Sequence, residues 1–177
     1  MNSLFLRCLV LFVLPILSAS ADTLGKISER GSIVLAYRES SVPFSYLDGP
    51  GKPIGLGVDV ANKVAEAVRQ ATGKKDLRIE YQAVTSQNRV PLVANGSVDL
   101  ECGSTTNNAA RAKEVAFAVN YFYANSRLLV KKSSGIHKLG DLVGKAIATT
   151  TGTTTFGQLR KLSLEKNLNL SVIPAKD

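Results

Sequence analysis

Residues 97–111 read SVDLECGSTTNNAAR, and this stretch decides the fold. Its first four residues are typical of the end of a buried strand, and Asn107 and Asn108 are typical caps of a following helix. A strand end that opens into a helix presents backbone N–H groups and the positive end of the helix dipole to an anion. Arg111 could add a bidentate contact to a carboxylate. The same pattern is also typical of a polar surface turn followed by an ordinary amphipathic helix.

Strands and helices are predicted to alternate upstream of this stretch. Buried or alternating strands are indicated at 32–37 and 77–84, helices at 23–30 and 58–71, and a short helix from about 89 to 95. A Gly- and Pro-rich turn at 47–53 lies between flanks that could form a hairpin. This order predicts an α/β layer with a parallel sheet, whose ligands bind beyond the carboxyl ends of the strands.

A second unit is predicted after an extended, aromatic-rich stretch at 118–130. It comprises a helical turn at 139–144, a strand at 145–150, a helix at 156–166 and a strand at 168–173. The loop 151–155 is rich in threonine and repeats the arrangement of a strand end that leads into a helix.

Arginine and hydroxyl side chains follow the predicted strand ends. Arg38, Arg89 and Arg111 would repel one another at one sheet edge unless an anion lay among them, and a dicarboxylate would satisfy all three. Each arginine taken singly is more typical of a solvated or salt-bridged surface residue. The predicted ligand-binding residues are Arg38, Ser86, Arg89, Ser104, Thr106, Arg111, Thr153 and Thr154.

The first 21 residues have the pattern of a secretory signal peptide. An apolar run from Cys8 to Leu17 follows Arg7, and a small-x-small site ends at Ala21, so the mature chain is expected to begin near Asp22. A membrane anchor is the alternative, but the run is shorter than the roughly 20 residues that span a bilayer.

Composition excludes several classes of function. The chain has 177 residues, 45% hydrophobic and a net charge of +8, but its basic residues are scattered and no aromatic-interleaved basic block indicates nucleic acid. One histidine, His137, and one cysteine after the leader, Cys102, argue against a metal-ligand set and against a catalytic nucleophile with its base. Cys102 could be buried and inert or could pair outside the chain. No phosphate-loop pattern or cofactor motif is present. The residues therefore favour capture of a ligand over its conversion.

Three segments carry a resemblance to a known family. Residues 38–46 (RESSVPFSY), 85–89 (TSQNR) and 101–111 closely resemble the periplasmic glutamate- and aspartate-binding receptors of ABC importers. Residues 141–145 and 151–154 are similar to the start of the second lobe in the wider polar amino acid-binding family. The resemblance implies a type II periplasmic binding protein fold in which two α/β lobes close on the ligand as a hinge.

The resemblance also implies roles for the predicted site. Arg111, with Ser104 and Thr106, would hold the α-carboxylate of glutamate or aspartate. Arg38, Ser86 and Arg89 would receive the side-chain carboxylate, and Thr153 and Thr154 would close from the second lobe. The implied partners are the membrane subunits of an ABC importer, and a periplasmic monomer without a cofactor is expected.

The implied organisation is one nearly complete lobe and the start of another. Lobe 1 is expected at 22–122, a crossover at 123–130 and an incomplete lobe 2 at 131–177, so that the chain would be a C-terminally shortened receptor. Two alternatives stay open. One is a dehydratase-like enzyme on the same scaffold, with Glu39 or Glu101 as general acid or base. The other is a non-functional fragment with exposed apolar surface.

Overall fold

The structure is a computed structural model that describes residues 22–176. The predicted signal peptide, residues 1–21, lies outside the described residues. Within 22–176, none of the helices combines the length and apolar character that a membrane crossing requires.

The elements alternate along the chain as the sequence predicts. The helices are α1 (Thr23–Arg30), α2 (Leu56–Thr72), α3 (Arg89–Ala94) and α4 (Thr154–Glu165), and single 3-10 turns lie at Arg111–Lys113, Lys132–Ser134 and Leu139–Leu142. The strands are β1 (Ser32–Tyr37), β2 (Ser40–Ser41), β3 (Ser45–Leu47), β4 (Pro53–Ile54), β5 (Arg78–Ala83), β6 (Leu100–Glu101), β7 (Ala146–Thr150) and β8 (Ser171–Ala175).

A parallel three-stranded sheet in the order β5-β1-β6 forms the first unit. Strand β1 pairs with β5 from Ser32 opposite Arg78 to Tyr37 opposite Ala83, and with β6 at Leu35 opposite Leu100. Because the three strands are parallel, their carboxyl ends meet at one edge. The predicted parallel sheet is confirmed.

Two buried clusters hold this sheet to its helices. Apolar side chains recur at helical spacing along α1 and α2, so one face of each helix is buried on the sheet. The larger cluster contains Ile27, Ile33, Leu35, Ala61, Ala65 and Leu77, and the smaller one contains Ala36, Val84 and Val98.

Asp99 fixes the start of β6 against β1. Its Oδ2 accepts a hydrogen bond from the Val34 backbone N–H at 2.8 Å and forms an ion pair with Arg30, while its side chain is only 2% exposed. The backbone bond from the Asp99 N–H to the Val34 carbonyl, at 3.0 Å, completes the link.

The segment after β1 folds into an antiparallel meander, β2-β3-β4, as the flanks of the predicted turn allow. The buried Ser45 hydroxyl accepts a hydrogen bond from the Arg38 N–H at 2.8 Å and donates one to the Arg38 carbonyl at 3.3 Å. The meander therefore holds the Arg38 backbone just beyond the carboxyl end of β1.

The second unit has a two-stranded parallel sheet, β7-β8, covered by α4, with Leu142, Leu159 and Leu168 buried. No strand or α-helix interrupts the described stretch from residue 114 to residue 145. Tyr121 and Phe122, in this connection, place their rings edge-on to Phe44.

Two predictions about local structure are wrong. The helix predicted to begin at Asn107–Asn108 is only the 3-10 turn Arg111–Lys113, although the Asn108 side chain does accept from the Arg111 N–H at 3.0 Å as a cap would. So short a segment gains little from helix propensity and lacks a buried face to extend it. The strand predicted at 168–173 begins only at Ser171, because Asn167 and Asn169 adopt positive φ.

Candidate functional site

A cavity of about 250 Å³ lies at the carboxyl edge of the first sheet, facing the second unit. Every residue in its lining has a polar side chain, and the set combines cations with hydroxyl groups, which is the chemistry of an anion site. The lining residues are Arg38, Ser40, Ser41, Ser86, Ser104, Thr150, Thr153 and Lys176.

Four of the eight predicted site residues line this cavity: Arg38, Ser86, Ser104 and Thr153. The other four predicted residues contact the surroundings of the cavity. Arg89 bonds to Ser104, Arg111 bonds to Gly152, and the Thr106 and Thr154 hydroxyls contact each other.

Arg38 and Arg89 are buried cations at this edge, with residue exposures of 4% and 3%. A buried charge is costly unless it is compensated, so two guanidinium groups in one place favour negative charge nearby. Arg89 Nη1 donates to the Ser104 hydroxyl at 3.3 Å and lies 3.9 Å from Glu101 Oε1.

A compact turn before α3 positions Arg89. The Thr85 N–H donates to Asn88 Oδ1 at 2.7 Å, and the Asn88 N–H donates to the Thr85 hydroxyl at 3.2 Å. The backbone bond from the Arg89 N–H to the Thr85 carbonyl, at 3.2 Å, starts the helix. This turn also buries Ser86, which is 4% exposed.

Arg111 joins the two units. Its Nη1 donates to the Thr106 carbonyl at 3.0 Å, and its Nη2 donates to the Gly152 carbonyl at 3.0 Å. The Thr106 and Thr154 hydroxyls lie 3.3 Å apart across the same gap. Because a guanidinium carries five N–H donors, these two bonds leave Arg111 able to serve a ligand as well.

Thr153 is the N-cap of α4. Its hydroxyl accepts from the Phe156 N–H at 3.2 Å and donates to the Thr150 carbonyl at 2.6 Å. The predicted arrangement of a strand end leading into a helix is therefore confirmed at this loop. The positive end of the α4 dipole adjoins the cavity and adds to its preference for anions.

The cavity also contains four residues that sequence reasoning missed. Ser40 and Ser41 follow β1, and Thr150 ends β7. The expectation that ligands bind beyond the carboxyl ends of strands, which selected Arg38, could have selected them too. Lys176 directly follows β8, but the strand was predicted to end at residue 173, so Lys176 was not recognised as a strand-end residue.

Burial disfavours ionisation of the Cys102 thiol, and the thiolate is the nucleophilic form. Burial, and to a smaller extent the charge of Glu101, raise the pKa of this thiol to about 11. Burial followed by the charges of Cys102 and Glu101 raises the pKa of Tyr121 to about 12, against the opposing effect of Arg89. The Tyr121 hydroxyl donates to the Gly103 carbonyl beside the site. No cluster of potential metal ligands was found in residues 22–176.

Comparison with known proteins places the chain in a family. The sequence profile described as "Bacterial extracellular solute-binding proteins, family 3" matches residues 33–169. The chain belongs to this family. Membership in an extracellular family indicates that the protein is exported.

Two relatives share nearly half of their aligned residues with the chain. The L-glutamate/L-aspartate-binding protein of Pseudomonas aeruginosa is 49% identical, over 88% of this chain and 52% of the relative. The glutamate/aspartate import solute-binding protein of Escherichia coli is 46% identical, over 90% of this chain and 53% of the relative. The chain therefore spans about half the length of the curated relatives it matches. Both are named as binding proteins, not as enzymes.

Solved structures share the fold of this chain. An arginine-binding protein variant from Thermotoga maritima is 24% identical with a TM-score of 0.74, covering 88% of this chain and 63% of its own. An ancestral amino acid-binding protein described as a precursor of cyclohexadienyl dehydratase is 25% identical with a TM-score of 0.70, covering 86% and 64%. The predicted type II periplasmic binding protein fold is confirmed, as a partial match.

Proposed function

We propose that this family 3 chain is an extracytoplasmic receptor that captures acidic amino acids, L-glutamate or L-aspartate, for an ABC importer. One observation carries the proposal: two buried arginines, Arg38 and Arg89, meet the hydroxyls of Ser86 and Ser104 at the sheet edge that faces the second unit. The names of the Pseudomonas and Escherichia relatives support the choice of ligand.

The ligand's two carboxylates would divide between two groups of residues. Arg38, Ser86 and Arg89 would hold the side-chain carboxylate in the buried half of the cavity. Arg111, with Ser104 and Thr106, would hold the α-carboxylate beside the second unit, where Thr153 and Thr154 contribute hydroxyls. Charge-assisted hydrogen bonds of this kind contribute about 1.5 to 3 kcal/mol each.

Ligand capture would use the two units as closing lobes. In this proposal residues 22–122 form lobe 1, 123–130 the crossover, and 131–177 the part of lobe 2 present here. The Arg111 bond to the Gly152 carbonyl and the Thr106–Thr154 contact bridge the gap that closure would shut. The receptor would work as a periplasmic monomer, after removal of its leader near Ala21, and would deliver ligand to the importer's membrane subunits.

An enzyme on this scaffold is the second candidate, because one similar structure is described as a dehydratase precursor. Of the two carboxylates suited to acid–base work, Glu39 is exposed, and the 9% exposed side chain of Glu101 forms an ion pair with Arg89. Neither lines the cavity. Incubation with prephenate separates the candidates, since an enzyme would release product and a receptor would not.

Thermal unfolding with ligand tests the proposed function. We expect millimolar L-glutamate or L-aspartate to raise the unfolding midpoint, because a ligand that binds only the folded state stabilises it. Arg89→Gln should reduce the shift, whereas Arg78→Gln, which alters an exposed arginine paired with Glu80, should not. A midpoint that neither acid moves would refute the receptor, and the lack of a cooperative transition would favour a non-functional fragment.

A further inference from the structure

Glu101 has a carboxylate with a buried oxygen, Oε1, that the proposed binding scheme does not use. Its side chain is 9% exposed, and Oε1 has no hydrogen-bond partner among the described residues. A buried carboxylate oxygen without a hydrogen bond is unfavourable, so its presence needs a physical reason. Arg89 Nη1, 3.9 Å away, supplies one, because charges at this distance attract even without a hydrogen bond.

The carboxylate lies against Gly103, the residue before the cavity-lining Ser104. A Cβ added at Gly103 would lie 2.4 Å from Glu101 Oε1 and 3.8 Å from Arg38 Cγ, so this oxygen lies against the backbone of residue 103 near the Arg38 stem. Ser104, the residue after Gly103, lines the cavity and accepts from the same Arg89 Nη1 at 3.3 Å. Glu101 and a ligand in the cavity would therefore both lie close to the Arg89 guanidinium.

We propose that Glu101 is an internal counter-ion of Arg89 that competes with the ligand's side-chain carboxylate for this arginine and so limits the affinity for acidic ligands. The ligand half of this inference rests on the proposed function. The counter-ion half concerns the ligand-free chain and stands alone. Glu101 is thus a specificity residue, since its charge penalises a second carboxylate but not a neutral amide in the same place.

Competition predicts the direction in which the affinity for L-glutamate changes when the charge of Glu101 is removed. A ligand carboxylate that shares Arg89 with Glu101 is repelled by it, and at a protein-like dielectric and after screening this repulsion is enough to weaken binding about tenfold. Glu101→Gln removes that charge and keeps the shape. We expect it to tighten L-glutamate binding about tenfold and to change L-glutamine binding less than twofold. If Glu101 only held Arg89 in position, the same variant would weaken L-glutamate, which would overturn the proposal.

A double-mutant cycle by urea unfolding, without ligand, tests the counter-ion directly on the full 177-residue chain. Glu101→Gln should lower the unfolding midpoint when Arg89 is present, because it leaves a buried cation less compensated. It should raise the midpoint in the Arg89→Met background, where the carboxylate has lost that cation. The same change in both backgrounds would overturn the proposal.

Two controls complete the design. Glu80→Gln alters an exposed carboxylate and should leave both ligand affinities unchanged. If Arg89→Met does not fold, calorimetry on Glu101→Gln tests the proposal instead. Tighter L-glutamate binding with little change for L-glutamine supports it, and weaker L-glutamate binding overturns it. If the wild-type chain binds neither ligand, the proposed function fails, and the unfolding cycle alone supports or overturns the counter-ion.

Discussion

Gly152→Ala should separate the two units at the site without removing any side chain. Gly152 has φ +74°, and an added Cβ would lie 2.6 Å from the carbonyl carbon and oxygen of Ser86 and 2.7 Å from Gln87 Cα. These are backbone atoms of the turn that positions Arg89, so no flexible side chain can move aside. The second unit must instead retreat from the first.

The size of the effect follows from these distances. Carbon atoms pack at 3.5–4.0 Å, so the gap must open by about 1 Å. The two bridges across it, from Arg111 to the Gly152 carbonyl and from Thr106 to Thr154, would lengthen or break, at about 1 kcal/mol each. We therefore expect L-glutamate affinity to fall at least tenfold, in addition to a stability loss of about 1 kcal/mol from the positive φ.

Two other glycines provide matched controls. Gly144 has φ +69° with no atom within 4 Å of an added Cβ, so Gly144→Ala should reproduce the strain without the clash. Gly157 in α4 also has open space, and Gly157→Ala should stabilise that helix by about 1 kcal/mol. Calorimetry with L-glutamate and urea unfolding are measured on all three variants. An affinity for Gly152→Ala equal to that for Gly144→Ala would refute the proposed closure at Gly152.

Three further predictions concern the arginines, the thiol and the core. Arg111→Ala should abolish binding of all amino acids and Arg89→Ala mainly that of acidic ones, so equal losses for L-glutamate and L-glutamine in Arg89→Ala would contradict the assigned roles. Because the pKa of Cys102 is raised from 9.0 to about 11, the unfolded thiol ionises first, and its contribution to stability is full below pH 9 and is lost as the pH rises to about 11. After screening by solvent, this contribution is about 1 kcal/mol. In a plot of the urea-unfolding free energy against pH, Cys102→Ala should therefore remove about 1 kcal/mol of the decline over that pH range. Asp99→Ala leaves the Val34 N–H and Arg30 without their carboxylate, and it should lower the urea-unfolding free energy by about 3 kcal/mol. Glu66→Ala, at an exposed ion pair, should lower it by under about 1 kcal/mol. Equal losses for these two variants would count against the anchoring of β6 by Asp99.

The first unit could be predicted from sequence because its signals are local. Helix α2 has a continuous apolar period, and β1 is a short apolar run between glycine and arginine, so each pattern favours a single structure. The parallel order of the strands follows once helices alternate with them, and the shared edge then brings Arg38, Ser86 and Ser104 together.

The missed features depend on contacts that local patterns do not encode. Residues 109–114 have good helix propensity, but they form one 3-10 turn because they lack a buried face. Because Asn167 and Asn169 adopt positive φ, β8 begins and ends later than the sequence predicts. Lys176, which follows the observed end of β8 and lines the cavity, was therefore not predicted as a site residue. The packing of Glu101 beside Arg89 depends on the tertiary structure, which no local sequence pattern encodes.

Isothermal titration calorimetry of the 177-residue chain tests the central claim most directly. L-Glutamate, L-aspartate and L-glutamine are titrated under identical conditions of salt and pH. The buried arginines at the site predict saturable one-site binding of at least one acid, with L-glutamine at least tenfold weaker. The absence of binding heat with both acids, or equal affinity for L-glutamate and L-glutamine, would contradict an acidic amino acid receptor.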